Sequence, residues 1–283
     1  MSTIKISNVS KNFRNIQALQ NVNLTFESAK IYGLLGRNGA GKTTLLNIIC
    51  NRIFPDQGEV LLDGKPIREN DQLLGKIYMM SEHNLYPDNF RVADVFKWTK
   101  EFYGDFDDNY CQFLCQQFGL DNKKKIRGLS TGYKSIYKMI VALSLTIPFI
   151  LLDEPVLGLD ANHRDMFYKA LLQTYSDKPR TFIISTHLIE EVSDIIEDVV
   201  IIKKGQIITN QSCAELLQTG YTATGSIAAI DRFIEQKQVI STDVLGGLKS
   251  AYIIGQAEKV QVPEGIEISK LDLQKLFIQL TNA

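Results

Sequence analysis

Gly36-Arg37-Asn38-Gly39-Ala40-Gly41-Lys42-Thr43 is the stretch whose reading decides the fold of this chain. Glycines at this spacing, closed by Lys-Thr, form a loop whose backbone N–H groups can wrap a phosphate chain, provided that a strand precedes it and a helix follows. Both conditions hold. Ile31 to Leu35 is a short continuous apolar run of the kind a buried parallel strand requires, and Thr43 to Cys50 is patterned as a helix. Glycine lets the backbone approach the phosphates closely, and the helix N-terminus turns partial positive charge toward them. Lys42 reaches the β and γ oxygens and the Thr43 hydroxyl is placed to hold Mg2+. Gly36, Arg37, Asn38, Gly39, Ala40, Gly41, Lys42, Thr43 and the adjoining Thr44 are therefore the candidate phosphate-binding residues.

Downstream, Phe149 to Leu152 and Phe182 to Ile184 repeat the short apolar run and read as further parallel strands. The first of these ends in Asp153-Glu154, two carboxylates at the C-terminal end of a buried strand, where ligands of open α/β sheets bind. Beside a phosphate loop, Asp153 reads as part of the Mg2+ shell. Glu154 reads as the group that orients or deprotonates the attacking water, because phosphoryl transfer to water needs positioning and charge neutralisation above all. Without the loop, the pair before Pro155 would be an ordinary strand-end turn.

Upstream, Val22, Leu24 and Phe26 alternate, and Val60-Leu61-Leu62 lies between Pro55-Asp56-Gln57-Gly58 and Asp63-Gly64, so an antiparallel sheet is expected near the N-terminus. From Val92 to Leu145 the period is helical and rich in aromatics, among them Phe96, Trp98, Phe102, Tyr103, Phe106, Tyr110, Phe113 and Phe118. Most of these belong to a core, and a minority line a groove for a partner helix. Val199 to Thr209 reads as two strands joined at Lys204-Gly205, and Ser212-x-x-Glu215 is a capping box opening a short helix. Beyond Gly220 come a helical Ile227 to Gln236, a strand-like Ala251 to Ile254 and a last helix from about Leu271, none with a chemical motif. The expectation is an α/β fold: a P-loop NTPase core with an N-terminal antiparallel β-subdomain and an inserted helical subdomain at 85–147, all within residues 1–220. A small α/β extension at 221–283 has a regulatory, dimerising or simply stabilising role.

Composition narrows the function from the other side. Among 283 residues, 31 basic side chains face 32 acidic ones for a net charge of −1, which does not favour nucleic acid as a partner. The longest apolar stretch, Met139 to Leu152, is broken by Ser144 and Pro148 and falls short of the roughly 18 to 20 residues that span a bilayer. The N-terminus lacks the apolar segment of a secretory signal, so a cytoplasmic location is expected, with any membrane attachment borrowed from a partner. The four cysteines, Cys50, Cys111, Cys115 and Cys213, show no Cys-x-x-Cys spacing and read as reduced thiols.

Leu129-Ser130-Thr131-Gly132-Tyr133, upstream of Asp153, resembles the Leu-Ser-Gly-Gly-Gln signature of the ABC ATPases, and the resemblance covers residues 1–220. It implies a fold, an activity and an assembly. Gly158-Leu159-Asp160 would be the D-loop. His187, in Ser185-Thr186-His187, would contact the γ-phosphate and act with Glu154 and Lys42 in hydrolysis. Phe13 resembles the aromatic that stacks on adenine, the alternative being a core Phe in the first sheet. The resemblance also implies ATP and Mg2+ as cofactors and a dimer, homo- or heteromeric. In it Ser130, Gly132 and Tyr133 meet the ATP of the opposite subunit, and loss of the γ-phosphate releases the closed state. Integral membrane permease subunits complete the assembly, which places the chain peripherally at the cytoplasmic face of the membrane. Asn84-Leu85-Tyr86-Pro87, with the aromatics after it, is similar to ATPases of ABC-2-type exporters, which implies export and an aromatic groove for a permease coupling helix.

Three positions depart from the family pattern. A Gln that touches Mg2+ and water usually follows the strand that here reads Ile77-Tyr78-Met79-Met80; lining up that strand puts Ser81 at the place, as a metal contact, with Glu82 next. Thr131 and Tyr133 replace the first-choice Gly and Gln of the signature. Two rival readings belong to other classes: a soluble ABC-type ATPase working on ribosomes, DNA or assembly machinery, and a catalytically silent ATP-binding regulator. The first lacks its usual second cassette or coiled-coil insertion here, and Glu154 with His187 argues against the second.

Overall fold

The computed structural model describes residues 2–256 and 262–282. Strands β1 (Thr3–Phe13) and β2 (Ile16–Glu27) pair antiparallel, and their alternating apolar residues, including Ile4, Ile6, Val22, Leu24 and Phe26, are buried on one face. β3 (Ile31–Leu35), buried throughout, runs directly into the glycine-rich loop and α1 (Lys42–Ile49). β4 (Gln57–Leu62) and the short β5 (Lys65–Pro66) complete a first sheet of order β2-β1-β4-β5. A single turn α2 (Asp71–Leu74), capped by the Asn70 side chain, leads into β6 (Ile77–Met80). Then come three helices, α3 (Val92–Tyr103), α4 (Asp108–Gln117) and α5 (Thr131–Ser144), with Asp107 and Ser130 as side-chain N-caps of the last two.

The chain next alternates β7 (Phe149–Asp153), α6 (Ala161–Asp177), β8 (Thr181–Thr186), α7 (Ile189–Val192) and β9 (Asp198–Lys203). β9 turns at Lys204-Gly205, both with positive φ, into β10 (Gln206–Ser212), an antiparallel hairpin as its sequence requires. The second sheet has six strands in the order β10-β9-β3-β8-β7-β6, and β9, β3, β8, β7 and β6 run parallel. Its central strands divide their side chains between two layers. Phe149, Leu151 and Ile183 join the core shared with α1 and the first sheet, whereas Ile150, Leu152, Phe182 and Ile184 join the core under α5 and α6. A period of two, buried on both faces, is why these strands are continuous apolar runs.

Of the aromatics in the helical stretch, Phe96 and Phe118 are core. Tyr103, Phe106 and Tyr110 pack against the same core, and Trp98, Phe102 and Phe113 are exposed at 44%, 74% and 50%, so most of the rings are inward and a minority outward, as the sequence suggests.

Ser212 caps α8 (Cys213–Leu217) by accepting from the Glu215 N–H. A third sheet follows: β11 (Gly220–Ser226), then α9 (Ile227–Ile234), β12 (Gln238–Leu245), β13 (Leu248–Ile254) and β14 (Ile266–Lys270), in the order β12-β13-β11-β14. Only β13 and the two helices were marked by the sequence; β11, β12 and β14 are too polar and too interrupted to stand out. α9 packs Ile230 and Phe233 on Tyr221, Ala223, Ala251 and Ile253. The last helix, α10 (Leu273–Asn282), does something different. Leu273, Leu276 and Phe277 enter the large core beside Ile189, Val192 and Leu216, so the end of the extension is built into the parallel-sheet unit.

Leu276→Ala is accordingly expected to cost the chain about 2–5 kcal/mol, the usual range for emptying a buried leucine site. In urea unfolding followed by Trp98 fluorescence and far-UV circular dichroism, both signals should shift together to lower denaturant. A Trp98 transition left in place would show that α10 folds apart from the core.

Candidate functional site

The register of three adjacent strands assembles the site. β8 lies between β3 and β7, so the loop after β3, the carboxylates ending β7 and His187 just beyond β8 emerge side by side at one edge of the sheet. The glycine-rich loop is tightly confined there. Gly41 has φ +112°, and a Cβ on it would lie 2.6 Å from the Ala18 carbonyl oxygen; one on Gly36 would lie 2.7 Å from that of Ile202. No other residue type fits the loop at these two points without moving backbone.

Lys42 is buried, and its ammonium donates to the Gly36 carbonyl at 2.6 Å, lying 3.7 Å from a Glu154 oxygen. Burial lowers its pKa, opposed by the charges of Glu154 and Asp153. The Thr43 hydroxyl donates to Asp153 Oδ2 at 2.8 Å and Ser185 donates to Oδ1 at 2.9 Å, so both oxygens of this buried carboxylate are engaged. Burial raises the Asp153 pKa, and the two hydroxyl hydrogen bonds pull it back. Glu154 stands in the left-handed region at φ +48°, a conformation that costs a non-glycine residue about 1–3 kcal/mol and collects at functional sites. Its N–H donates to the Ser185 carbonyl at 2.8 Å, the Thr186 hydroxyl reaches its carboxylate at 3.3 Å, and His187 Nδ1 lies 3.0 Å from both of its oxygens.

These groups open into a cleft of about 650 Å³. One end is apolar, with Phe13, Ile16 and Ala18; the floor is the loop from Arg37 to Thr44; the far end carries Glu82, Glu154, Leu157 and His187. Phe13 is 42% exposed on the rim, with the Lys11 ammonium 5.6 Å from its ring centre, so it belongs to the cleft and not to the core of the first sheet. An aromatic edge, an amide-rich floor with a lysine, and a carboxylate end suit a ligand with a flat base and a phosphate tail bound with a hard cation. Thr43 and Asp153 supply the oxygen donors such a cation takes. No cluster of three or more His, Cys, Asp or Glu able to hold a metal occurs among the described residues, as expected where the phosphates themselves supply part of the shell.

Two groups of sequence candidates lie elsewhere. Ser130, Gly132 and Tyr133 do not line the cleft. Ser130 caps α5 by accepting from the Tyr133 N–H, a Cβ on Gly132 would lie 3.3 Å from the Gly158 carbonyl, and Ser135 donates to the Leu157 carbonyl at 3.1 Å. Tyr133 packs edge-on to His163, whose Nδ1 is 2.8 Å from Asp160. The start of α5 and the turn at 157–160 thus form one block beside the cleft, and of its residues Leu157 lines the cleft.

Ser81 is not brought to the site either. Its hydroxyl donates to the His83 carbonyl, and the residue that lines the cleft is its neighbour Glu82. Both residues lie just past the end of β6, where the Ser81 hydroxyl is taken up by the turn to His83. The backbone there is pinned from α5: Lys138, half buried, donates to the Ser81 carbonyl at 3.0 Å and to that of Glu82 at 2.5 Å. Nothing in the sequence motifs marked Lys138, because its role depends on a contact across 56 residues of chain.

With this geometry in place, the likeness to known proteins can be stated. The profile of the family described as ABC transporter matches residues 19–157. The ABC transporter ATP-binding protein YtrB of Bacillus subtilis is 32% identical over 67% of this chain and 65% of its own length. An uncharacterized ABC transporter ATP-binding protein of Methanocaldococcus jannaschii, MJ1023, is 30% identical over 72% of this chain and 76% of its own. The ribose import ATP-binding protein RbsA of a Ruegeria species is 27% identical over 75% of this chain but only 44% of its own length. Among solved structures, the dimeric bacterial ABC transporter cassette MJ0796 superposes with a TM-score of 0.66 at 24% identity, covering 74% of this chain and 98% of that one.

The exchange of Ser81 for Glu82 is testable by paired substitution. Glu82→Ala should weaken Mg-dependent nucleotide affinity by roughly 10- to 100-fold, the range for losing an outer partner of a metal site, and Ser81→Ala should change it little. Titration with a fluorescent nucleotide, with and without Mg2+, reads both; the reverse order would return the role to Ser81.

Proposed function

This chain belongs to the family of ABC transporter ATP-binding proteins, and we propose that its cleft binds ATP with Mg2+ and hydrolyses it to ADP and phosphate to drive a transporter. The observation that carries the reading is that Lys42, Thr43, Glu154 and His187 line one cleft together with Phe13, with Asp153 bound to the Thr43 hydroxyl behind it. Phe13 stacks on the base. Amides from Arg37 to Thr44 and the start of α1 hold the phosphates, and Lys42 exchanges its bond to the Gly36 carbonyl for phosphate oxygens of higher charge.

Mg2+ fits the donors present: Thr43 and Asp153 would hold it, and when bound it neutralises charge on the phosphates. Glu154 takes the position of the general base. It accepts a proton from the water that attacks the γ-phosphorus, the bond from that phosphorus to the bridging oxygen breaks, and ADP leaves. His187, Thr186 and the left-handed backbone hold the Glu154 carboxylate in one direction, so little reorganisation is left for the reaction.

A single chain leaves the block of Ser130, Gly132 and Tyr133 without a ligand of its own. Two such subunits facing each other would bring that block onto the partner's nucleotide, the N-terminus of α5 leading. Closure on two ATP molecules and opening after hydrolysis follow, because contacts to the γ-phosphate exist only in the closed state. Membrane permease subunits would receive that motion through the exposed Trp98, Phe102 and Phe113 on α3 and α4, placing the chain at the cytoplasmic face of a membrane. No helix among the described residues is long and apolar enough to cross a membrane. Export is the direction proposed, on the resemblance of residues 84–87 to ABC-2-type exporters. Several relatives are named for sugar import, ribose and galactose among them, so direction rests on that stretch and the aromatics after it.

The test is steady-state hydrolysis by the wild type beside Glu154→Gln, with mass analysis in Mg-ATP. Hydrolysis should fall by about 10²- to 10⁴-fold, and the variant should accumulate as an ATP-loaded dimer. Equal turnover in the two proteins would remove Glu154 from the base position. Transport direction is read by reconstituting the chain with its permease and following cargo across the vesicle membrane.

A further inference from the structure

The phosphate loop has a neighbour that hydrolysis does not require. Arg37, exposed on the loop, donates from its guanidinium to the side-chain oxygen of Asn282, in the last turn of α10. Beside it Lys203 donates to the Leu280 carbonyl at 3.4 Å, and the buried Thr281 lines a cavity of about 200 Å³ together with Arg37, Asn38, Gly39 and Ala40. The apolar face of α10 meanwhile packs into the core with Ile189 and Val192 of α7, the turn immediately after His187. One helix from the far end of the chain therefore rests on both segments that frame the phosphate end of the cleft.

Arg37 lines two cavities: the cleft on one side, the small cavity under α10 on the other. Toward α10 it meets the neutral amide oxygen of Asn282 in the last turn of the helix. Toward the cleft it would meet phosphate oxygens, which are stronger, charge-assisted acceptors for a guanidinium. A single side chain cannot serve both at full strength. We propose that α10 is a latch linked to nucleotide: Arg37 is held by Asn282 in the arrangement of this structure and turns to phosphate when nucleotide binds, releasing the last turn of α10. Coupling of this kind is reciprocal, so an α10 held harder on Arg37 weakens nucleotide binding by the factor by which nucleotide loosens α10. The extension would in this way report the state of the cleft on a surface outside it. The inference rests on the reading of the cleft as a nucleotide site.

The experiment uses the full chain and Mg-ADP, so that no turnover intervenes. Calorimetric affinities are measured for wild type, Asn282→Ala, Arg37→Ala and the double variant, and hydrogen exchange over residues 273–282 is followed with and without Mg-ADP. Losing Asn282 should tighten Mg-ADP by roughly three- to tenfold, as freeing a charged donor from one hydrogen bond allows. The effect should vanish in the Arg37→Ala background, and Mg-ADP should speed exchange in the last turn of α10 in the wild type. An unchanged or weaker affinity for Asn282→Ala, or the same gain without Arg37, would overturn the latch, since a merely structural role for Asn282 would not depend on Arg37. If wild type took up no Mg-ADP, the nucleotide reading of the cleft would fall and the latch with it; uptake without the Asn282 effect removes the latch alone.

Discussion

The carboxylate of Asp153 is the pivot of this structure. It lies buried at the end of the central β7, and a buried charge is tolerated only when its oxygens are occupied. Thr43 and Ser185 occupy them, one from the helix that opens the phosphate loop and one from β8, so a single carboxylate ties together three elements far apart in sequence. Moving α1 or β8 would leave one oxygen of a buried carboxylate without its partner. The same bonds that keep Asp153 ionisable therefore fix the distance between loop and strand ends, and the geometry of the cleft follows from that distance.

Glu154 shows the complementary principle. Its backbone is strained, and the strain persists because Ser185, Thr186 and His187 all hold it from β8 and the residue after it. The outcome is a carboxylate aimed into the cleft beside the Lys42 ammonium, within reach of its charge but not in hydrogen-bond contact.

The parts of the chain beyond the cleft are organised by packing. The start of α5 is held against the turn at 157–160, and the same helix grips the segment after β6 through Lys138, so the signature-like stretch and the edge of the cleft are joined through one helix. α10 extends that rule to the C-terminal region. Its apolar residues are in the large core and its polar end is on the phosphate loop.

Much of this was legible in the sequence because it depends on local chemistry. The glycine-rich loop and the Asp153-Glu154 pair after four apolar residues need particular residue types at fixed spacing, and spacing along a chain survives in its sequence, whereas His187 was marked by the resemblance to the ABC ATPases. The buried parallel strands were legible for the same reason, since both faces must be apolar. What only the tertiary structure decided depends on contacts between distant segments. That Glu82 lines the cleft and Ser81 does not is set by the path of the chain after β6, Lys138 matters through two carbonyls on another segment, and β11, β12 and β14 are held by neighbours in a sheet and not by their own composition. The seat of α10 on Arg37 is the furthest case: 245 positions separate Arg37 from Asn282, and no local pattern encodes a contact whose two halves are ordinary surface residues until the fold brings them together.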